Sequence, residues 1–198
     1  GAQFVSAYLD WFKTQNSKFD PRVKTGLLQF NEMFEIEAPG ETCLESLYCI
    51  KNNLAVNNDS MGCGSVMRLL PIMLMQDKIP FLHLVYLGSV TAAITHRHIE
   101  NTRAVNAYVK AASEILSGTY EHNYNHINRI EQLGLGWIAG ECVSMGVWAY
   151  EQATTFDELL QLSITHDGDS DSVAAVAGSL WGLSGKKVPQ KYIDKLYG

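Results

Sequence analysis

Val105-Asn106-Ala107-Tyr108-Val109-Lys110-Ala111-Ala112-Ser113-Glu114-Ile115-Leu116 decides the fold class. Its apolar residues Val105, Tyr108, Val109, Ala112, Ile115 and Leu116 recur at i, i+3, i+4 and i+7, so one helical face is apolar and the other carries the charges. Gly118 stands where such a helix would stop. The same period continues in both directions. Upstream, Pro80 at a first helical position opens Phe81 to Ile94, a nearly all-apolar run that predicts a helix buried on most sides. Thr42 is placed to cap a helix over Cys43, Leu44, Leu47, Tyr48 and Ile50. Asp20-Pro21 starts another that runs to about Phe34, and Phe4 to Phe12 is helical almost from the first residue. Downstream, Gly134 to Glu141 leads into a helix carrying Val143, Val147, Trp148 and Tyr150. Thr155-Phe156-Asp157-Glu158 is a capping box for a further helix ending at His166. No stretch shows sustained period-two alternation with hairpin turns. The expectation is an all-α chain, one compact multi-helix bundle of about eight or more helices forming a single domain over residues 1–198.

Composition narrows the class. A chain of 198 residues that is 46% hydrophobic can build one sizeable core. Its net charge of −6, with 15 Lys and Arg never gathered into a run, argues against a nucleic-acid or anionic-membrane surface. There is no apolar stretch long enough to span a bilayer, and Gly1 to Val5 does not read as a secretory signal, so a soluble, cytoplasmic protein is expected. The four cysteines, Cys43, Cys49, Cys63 and Cys142, have no zinc-type spacing and read as reduced thiols.

Two stretches carry chemistry. Thr165-His166-Asp167-Gly168-Asp169-Ser170-Asp171-Ser172 sets three carboxylates at every second position ahead of a small, apolar run, Val173 to Gly182. Clustered oxygen donors of this kind suit a hard divalent cation. A calcium-sensing loop is excluded, because Ser172 stands where that loop needs glycine and Gly178 where it needs a bidentate glutamate. One acid beside a helix N-terminus is routine. Three within five residues repel one another, and the Ala/Gly/Ser-rich helix behind them reads as tightly packed, which favours a bound cation. The second stretch, Ser60-Met61-Gly62-Cys63-Gly64-Ser65-Val66-Met67-Arg68-Leu69-Leu70-Pro71, places two glycines around a small residue before an apparent helix start. Backbone N–H groups in such a loop can approach a phosphate, although Gly-x-Gly pairs are more often plain turns. His122 and His126 lie four apart without a third ligand and read as a solvated loop.

Taken together, these stretches resemble the ADP-ribosylglycohydrolase family. The matching segments are Ser60 to Arg68 with Pro71, then Thr95-His96, then Gly134-Leu135-Gly136-Trp137 with Glu141, and Gly168-Asp169-Ser170-Asp171-Ser172 through Gly178. The resemblance implies an all-α bundle that holds two Mg2+ ions, with Mn2+ as a substitute, and acts on ADP-ribose or ADP-ribosylated protein. It implies Asp169, Asp171 and Ser172 as metal ligands, with Asp167 outside the motif. Ser60, Met61, Gly62, Cys63 and Gly64 would line the substrate site, His96 would lie close to the nucleotide, and Gly136 and Trp137 would extend the same wall. Cys63 stands where many relatives carry asparagine, which alters one side-chain hydrogen bond.

The implied reaction is metal-assisted hydrolysis at the anomeric carbon of the distal ribose. The family's amino-terminal Gly-Asp segment and its Thr-Asp-Asp-Thr motif, which supply the remaining metal ligands and catalytic acids, have no counterpart here, so no catalytic residue is assigned. A piece of a longer enzyme is the favoured account. A shortened homologue and a subunit completed by another chain are the others, and an apolar surface left by the missing segment would favour association. The leading expectation is a magnesium-dependent hydrolase that removes ADP-ribose, or a related ribosyl group, from a modified protein or small molecule. The alternative is an inactive ADP-ribose-binding or regulatory pseudoenzyme, and the plainest is a helical interaction protein whose acidic loop is incidental.

Overall fold

A computed structural model of the protein describes residues 2–14, 40–56 and 58–197. Among these the regular elements are helices: α1 (Ala2–Thr14), α2 (Glu41–Lys51), α3 (Leu70–Met73), α4 (Phe81–Ala93), α5 (Ile99–Ser117), α6 (Ala139–Gln152), α7 (Phe156–Ile164), α8 (Ser170–Leu183) and α9 (Gln190–Tyr197). Short 3₁₀ turns sit at Cys63–Ser65 and Ile130–Leu133. The all-α class is as expected. The helix expected from Asp20-Pro21 to Phe34 falls outside the described residues.

Several boundaries follow the local chemistry seen in the sequence. Gly118 takes a left-handed conformation (φ 71°) and returns N–H groups to the end of α5. Thr155 and Glu158 form the reciprocal capping box of α7, which stops at Ile164, slightly short of His166. Other boundaries differ. Gly40 is the N-cap of α2, because the N–H groups of Cys43 and Leu44 both reach its carbonyl, so Thr42 lies inside the helix. Pro80 is the extended cap of α4 (ψ 150°) and not its first residue. α4 is also less buried than its apolar run suggests. Leu84, Gly88, Thr91 and Ala92 form one buried face, while Phe81, Leu82 and Tyr86 remain exposed. The glycine loop itself closes in a single 3₁₀ turn at Cys63–Ser65, and regular α-helix begins only at Leu70.

The main core lies where α5, α6 and α8 meet, with α7 against α8 and α4 against α5. Val105, Tyr108 and Val109 of α5, Met145 of α6, Leu159 of α7, and Val173 and Leu180 of α8 are fully buried. These are the positions that the helical period selects. A second apolar cluster joins Phe12 of α1, Leu47 of α2 and Ile94 just beyond α4, and it brings α1 beside the segment carrying His96.

The α6–α8 interface is the most extensive. It depends on Gly146, where a Cβ would lie 2.5 Å from Val176 Cγ1 and 3.2 Å from the Ala177 amide nitrogen. Gly178 and Gly182 of α8, by contrast, face open space, so they are not the close-packing positions that a small-residue helix suggests. Gly146→Ala is therefore expected to destabilise by about 2–3 kcal/mol through overpacking against the Val176 side chain and the α8 backbone behind it. Urea unfolding would show it as a lower midpoint with an unchanged slope.

Candidate functional site

Three loops distant in the sequence converge at the amino-terminal end of α8. The glycine loop and the 134–137 loop run antiparallel through one isolated bridge, Gly62 to Ile138. Cys63 N–H donates to Trp137 O (3.0 Å) and Ala139 N–H to Met61 O (2.8 Å). The 134–137 loop is tied in turn to the acidic stretch, since Asp169 N–H donates to Leu135 O at 2.8 Å. The Cys63 side chain completes the triangle by donating to Asp169 Oδ2, with Ser172 Oγ 3.5 Å away. Cys63 thus joins the glycine loop to the 134–137 loop through its amide and to the acidic stretch through its thiol.

Asp169 is the N-cap of α8 and accepts from Ser172 N–H (3.4 Å), a geometry that the helix dipole favours for a carboxylate. Asp169 and Ser172 are buried, whereas Asp171 projects outward from the first turn. Contact with Asp169, reinforced by partial burial and by the Asp169 charge, pushes the Asp171 carboxyl above the usual range. Asp167 is exposed. Contact with Cys63 and burial push the Cys142 thiol far up, so Cys142 stays protonated beneath the site.

Loop shapes are held by residues that no motif marks individually. Buried Asn101 of α5 donates from Nδ2 to Ser60 O (2.7 Å) and accepts at Oδ1 from Ser65 Oγ, clamping the glycine loop at both ends. Asn58 Oδ1 accepts from Ser60 N–H (2.9 Å), and Ser60 Oγ accepts from Gly62 N–H (3.1 Å). The amides of Gly62 and Cys63 are therefore engaged within the protein. Glu141 Oε2 accepts from the N–H groups of Leu135 (3.1 Å) and Gly136 (3.2 Å), so the loop is wound around one carboxylate. Gly136 is needed there: its φ is 81°, and a Cβ would lie 2.9 Å from Val173 Cγ2.

His96 is 4% exposed and lies behind the glycine loop, its ring edge filling the space that side chains at Gly62 and Gly64 would occupy. Burial, then the positive charge of Arg68, lowers its pKa to about 4. On the outer side, Trp137 (58% exposed) and Met61 (41%) offer apolar surface beside this polar centre. Sequence-predicted residues thus gather on one face, and Arg68, Asn58, Thr95, Asn101 and Glu141 join them as supports. Two cavities lie elsewhere. One of about 330 Å³ separates α5 from α6, and its Arg103 and Lys110 face Glu100 (3.9 Å) and Glu114 (3.6 Å) on the same helix. The other, of about 450 Å³, lies between α6 and α7. His122 and His126 are exposed on the 119–128 segment.

For a metal ion, the donor chemistry fits in part. Asp169, Asp171 and Ser172 present hard oxygen ligands within one turn, and the two carboxylates lie close enough to disfavour joint ionisation, a conflict that a cation relieves. Among the described residues no group of three or more His, Cys, Asp and Glu converges in metal-binding geometry. Two carboxylates and a hydroxyl suit Mg2+, which keeps several waters or takes substrate oxygens for the rest.

The helical bundle thus gathers the glycine loop, the 134–137 loop with its exposed tryptophan, and the acidic stretch at the helix-capping Asp169. The chain belongs to the ADP-ribosylglycohydrolase family, whose model matches residues 1–198. It is also similar to an uncharacterized protein of Archaeoglobus fulgidus, 28% identical over 98 residues. That match covers 49% of this chain and 32% of the relative, so it spans about a third of the relative's length. No described helix is long and apolar enough to cross a membrane.

Proposed function

We propose that the chain carries the substrate-binding face and one share of the metal site of a magnesium-dependent glycohydrolase that removes ADP-ribose, or a related ribosyl group, from a modified protein or small molecule. The observation that carries this reading is the junction of Asp169 with both loops, through the Cys63 thiol and through Leu135 O. It brings a candidate cation site to the edge of a candidate nucleotide site, as hydrolysis of a ribosyl bond requires. Asp169, Asp171 and Ser172 would hold Mg2+, or Mn2+ in its place. The bound ion would orient ribose hydroxyls and polarise the leaving group or a water.

The chain's own residues would do the rest. Ser60 to Gly64 and Gly136 form the wall against which ADP-ribose would lie. Trp137 and Met61, exposed beside it, offer faces on which a flat ring can pack. Glu141 and Asn101 keep those loops from moving, so binding does not have to order them. No general acid or base is assigned among the described residues. The test is release of free ADP-ribose from ADP-ribosylated protein in Mg2+ by the full chain and by its Asp169→Ala/Asp171→Ala variant. Release by the first and loss in the second is expected. Equal release from both would overturn the metal assignment, and calorimetric ADP-ribose binding without release would remove hydrolysis from the proposal.

A further inference from the structure

We propose that Arg68 and Thr95 are positioning residues that lock His96 in the tautomer protonated on Nε2 and turn that N–H toward the glycine loop, as a donor to an acceptor oxygen of the bound ligand. This deepens the reading above and rests on it for the ligand, though not for the tautomer.

The chain of hydrogen bonds allows one proton assignment. Arg68 Nη2 lies 2.6 Å from Thr95 Oγ1, and a guanidinium has donors only, so the Thr95 oxygen accepts. Thr95 Oγ1 has one other polar neighbour among the described residues, His96 Nδ1 at 2.8 Å. The hydroxyl proton must point there, Nδ1 must accept it, and the ring proton is left on Nε2. A charged imidazolium would turn an Nδ1–H donor on an oxygen that already accepts from a guanidinium, leaving the Thr95 hydroxyl proton without an acceptor, and burial beside Arg68 disfavours that form in any case.

Arg68 cannot swing away without cost. Its Nη1 also donates to Gly64 O (3.0 Å) and its Nη2 to Thr91 O (3.2 Å), and the Tyr8 ring covers the guanidinium, 4.8 Å from its carbon. The same guanidinium therefore holds the Gly64 carbonyl and sets the tautomer of His96. Nε2 has no protein acceptor among the described residues, and it lies 3.3 Å from where a Cβ on Gly62 would be. The two glycines thus leave room for the imidazole edge directly behind the loop. A histidine held in this way donates to a ligand oxygen, and it is not a base at Nε2.

Long-range 1H–15N correlation spectra of the 15N-histidine-labelled chain near pH 7 read the tautomer directly, with His96 assigned by the signals missing from His96→Asn. The expected pattern is an unprotonated Nδ1 and a protonated Nε2. It should persist in Thr95→Ser, which keeps the hydroxyl, and shift to a tautomer mixture in Thr95→Val and in Arg68→Lys. A wild-type ring protonated on Nδ1, or one unchanged in folded Thr95→Val, would overturn the proposal. ADP-ribose affinity measured on the same samples should fall roughly tenfold in Thr95→Val and recover in Thr95→Ser, about the worth of one hydrogen bond. Undiminished affinity in a Thr95→Val chain with mixed tautomers would overturn the donor role. If the wild type shows the expected tautomer but ADP-ribose does not bind at all, the proposed substrate fails and the assignment of the proton stands.

Discussion

Gly168→Ala is expected to cost about 3 kcal/mol of stability and to dismantle the site in whatever fraction still folds. A Cβ at Gly168 would lie 1.9 Å from Leu135 O and 2.7 Å from its carbonyl carbon, so the obstacle is backbone, which cannot rotate aside as a side chain can. That same carbonyl accepts the Asp169 amide at 2.8 Å. Relief of the clash must therefore separate the 134–137 loop from the start of α8, and with it the Gly136–Trp137 wall from the Asp169 carboxylate. A loss of this size lowers the melting temperature by roughly 6–12 °C in a domain this large. Gly178→Ala and Gly182→Ala are matched controls within α8. Both positions face open space, so alanine should be neutral or stabilise by up to about 1 kcal/mol. Thermal unfolding of the three variants side by side checks the prediction, and a Gly168→Ala chain as stable as the controls would show that the two loops are not joined as described.

That contrast also marks where sequence stops being informative. The period of Val105 to Leu116 specified both the helix and its buried face, because an amphipathic helix must turn its stripe inward wherever it packs. The capping box at Thr155 was legible for a similar reason: its hydrogen bonds are local. α4 was misread as buried nearly all round, since an apolar run says nothing about how many neighbours will cover it. α9 and the 3₁₀ turn at Ile130–Leu133 were not read from the sequence at all, the first being short and polar, the second a single turn. In the candidate site, the residues set out by motif were visible and the contacts of their supports were not. Asn101 acts through a backbone group 41 residues away, and no pattern along the chain distinguishes it from a solvated polar side chain. Glu141 stood within a matching segment, but its hold on the Leu135 and Gly136 amides shows only in the fold. Arg68 stood within a motif, but its partners Thr91 and Thr95 come from another helix and the turn beyond it. The glycines were legible as glycines. Whether each one admits a ligand, a histidine ring, a helix or nothing is a matter of tertiary contact.

Asp171→Asn is expected to abolish stabilisation by Mg2+ while leaving the metal-free fold intact, and this separates ligand from scaffold more cleanly than any change at Asp169. Asp169 has three duties in the fold: it caps α8 through Ser172 N–H, accepts from the Cys63 thiol, and fixes Leu135 through its own amide. Removing its charge weakens the fold and the candidate cation site together, so a negative result at Asp169 alone is ambiguous. Asp171 is exposed in the first turn of α8, and its contact with Asp169, then partial burial and the Asp169 charge, work against its ionised form. Neutralising it removes a repulsion, and asparagine can keep the contacts with Asp169 and with the first-turn amides, so metal-free stability should stay within about 0.5 kcal/mol of wild type or rise slightly. Mg2+ at a hundred times its dissociation constant stabilises a folded state that alone binds it by about 2.7 kcal/mol. In a domain this large that is roughly 5–11 °C of melting temperature. The wild type should show that rise in Mg2+ or Mn2+ and Asp171→Asn should not. If both chains rise equally, Asp171 is not a ligand. If neither rises, the two carboxylates and the hydroxyl of Ser172 do not hold the ion by themselves, and their proximity is a feature of the helix cap alone.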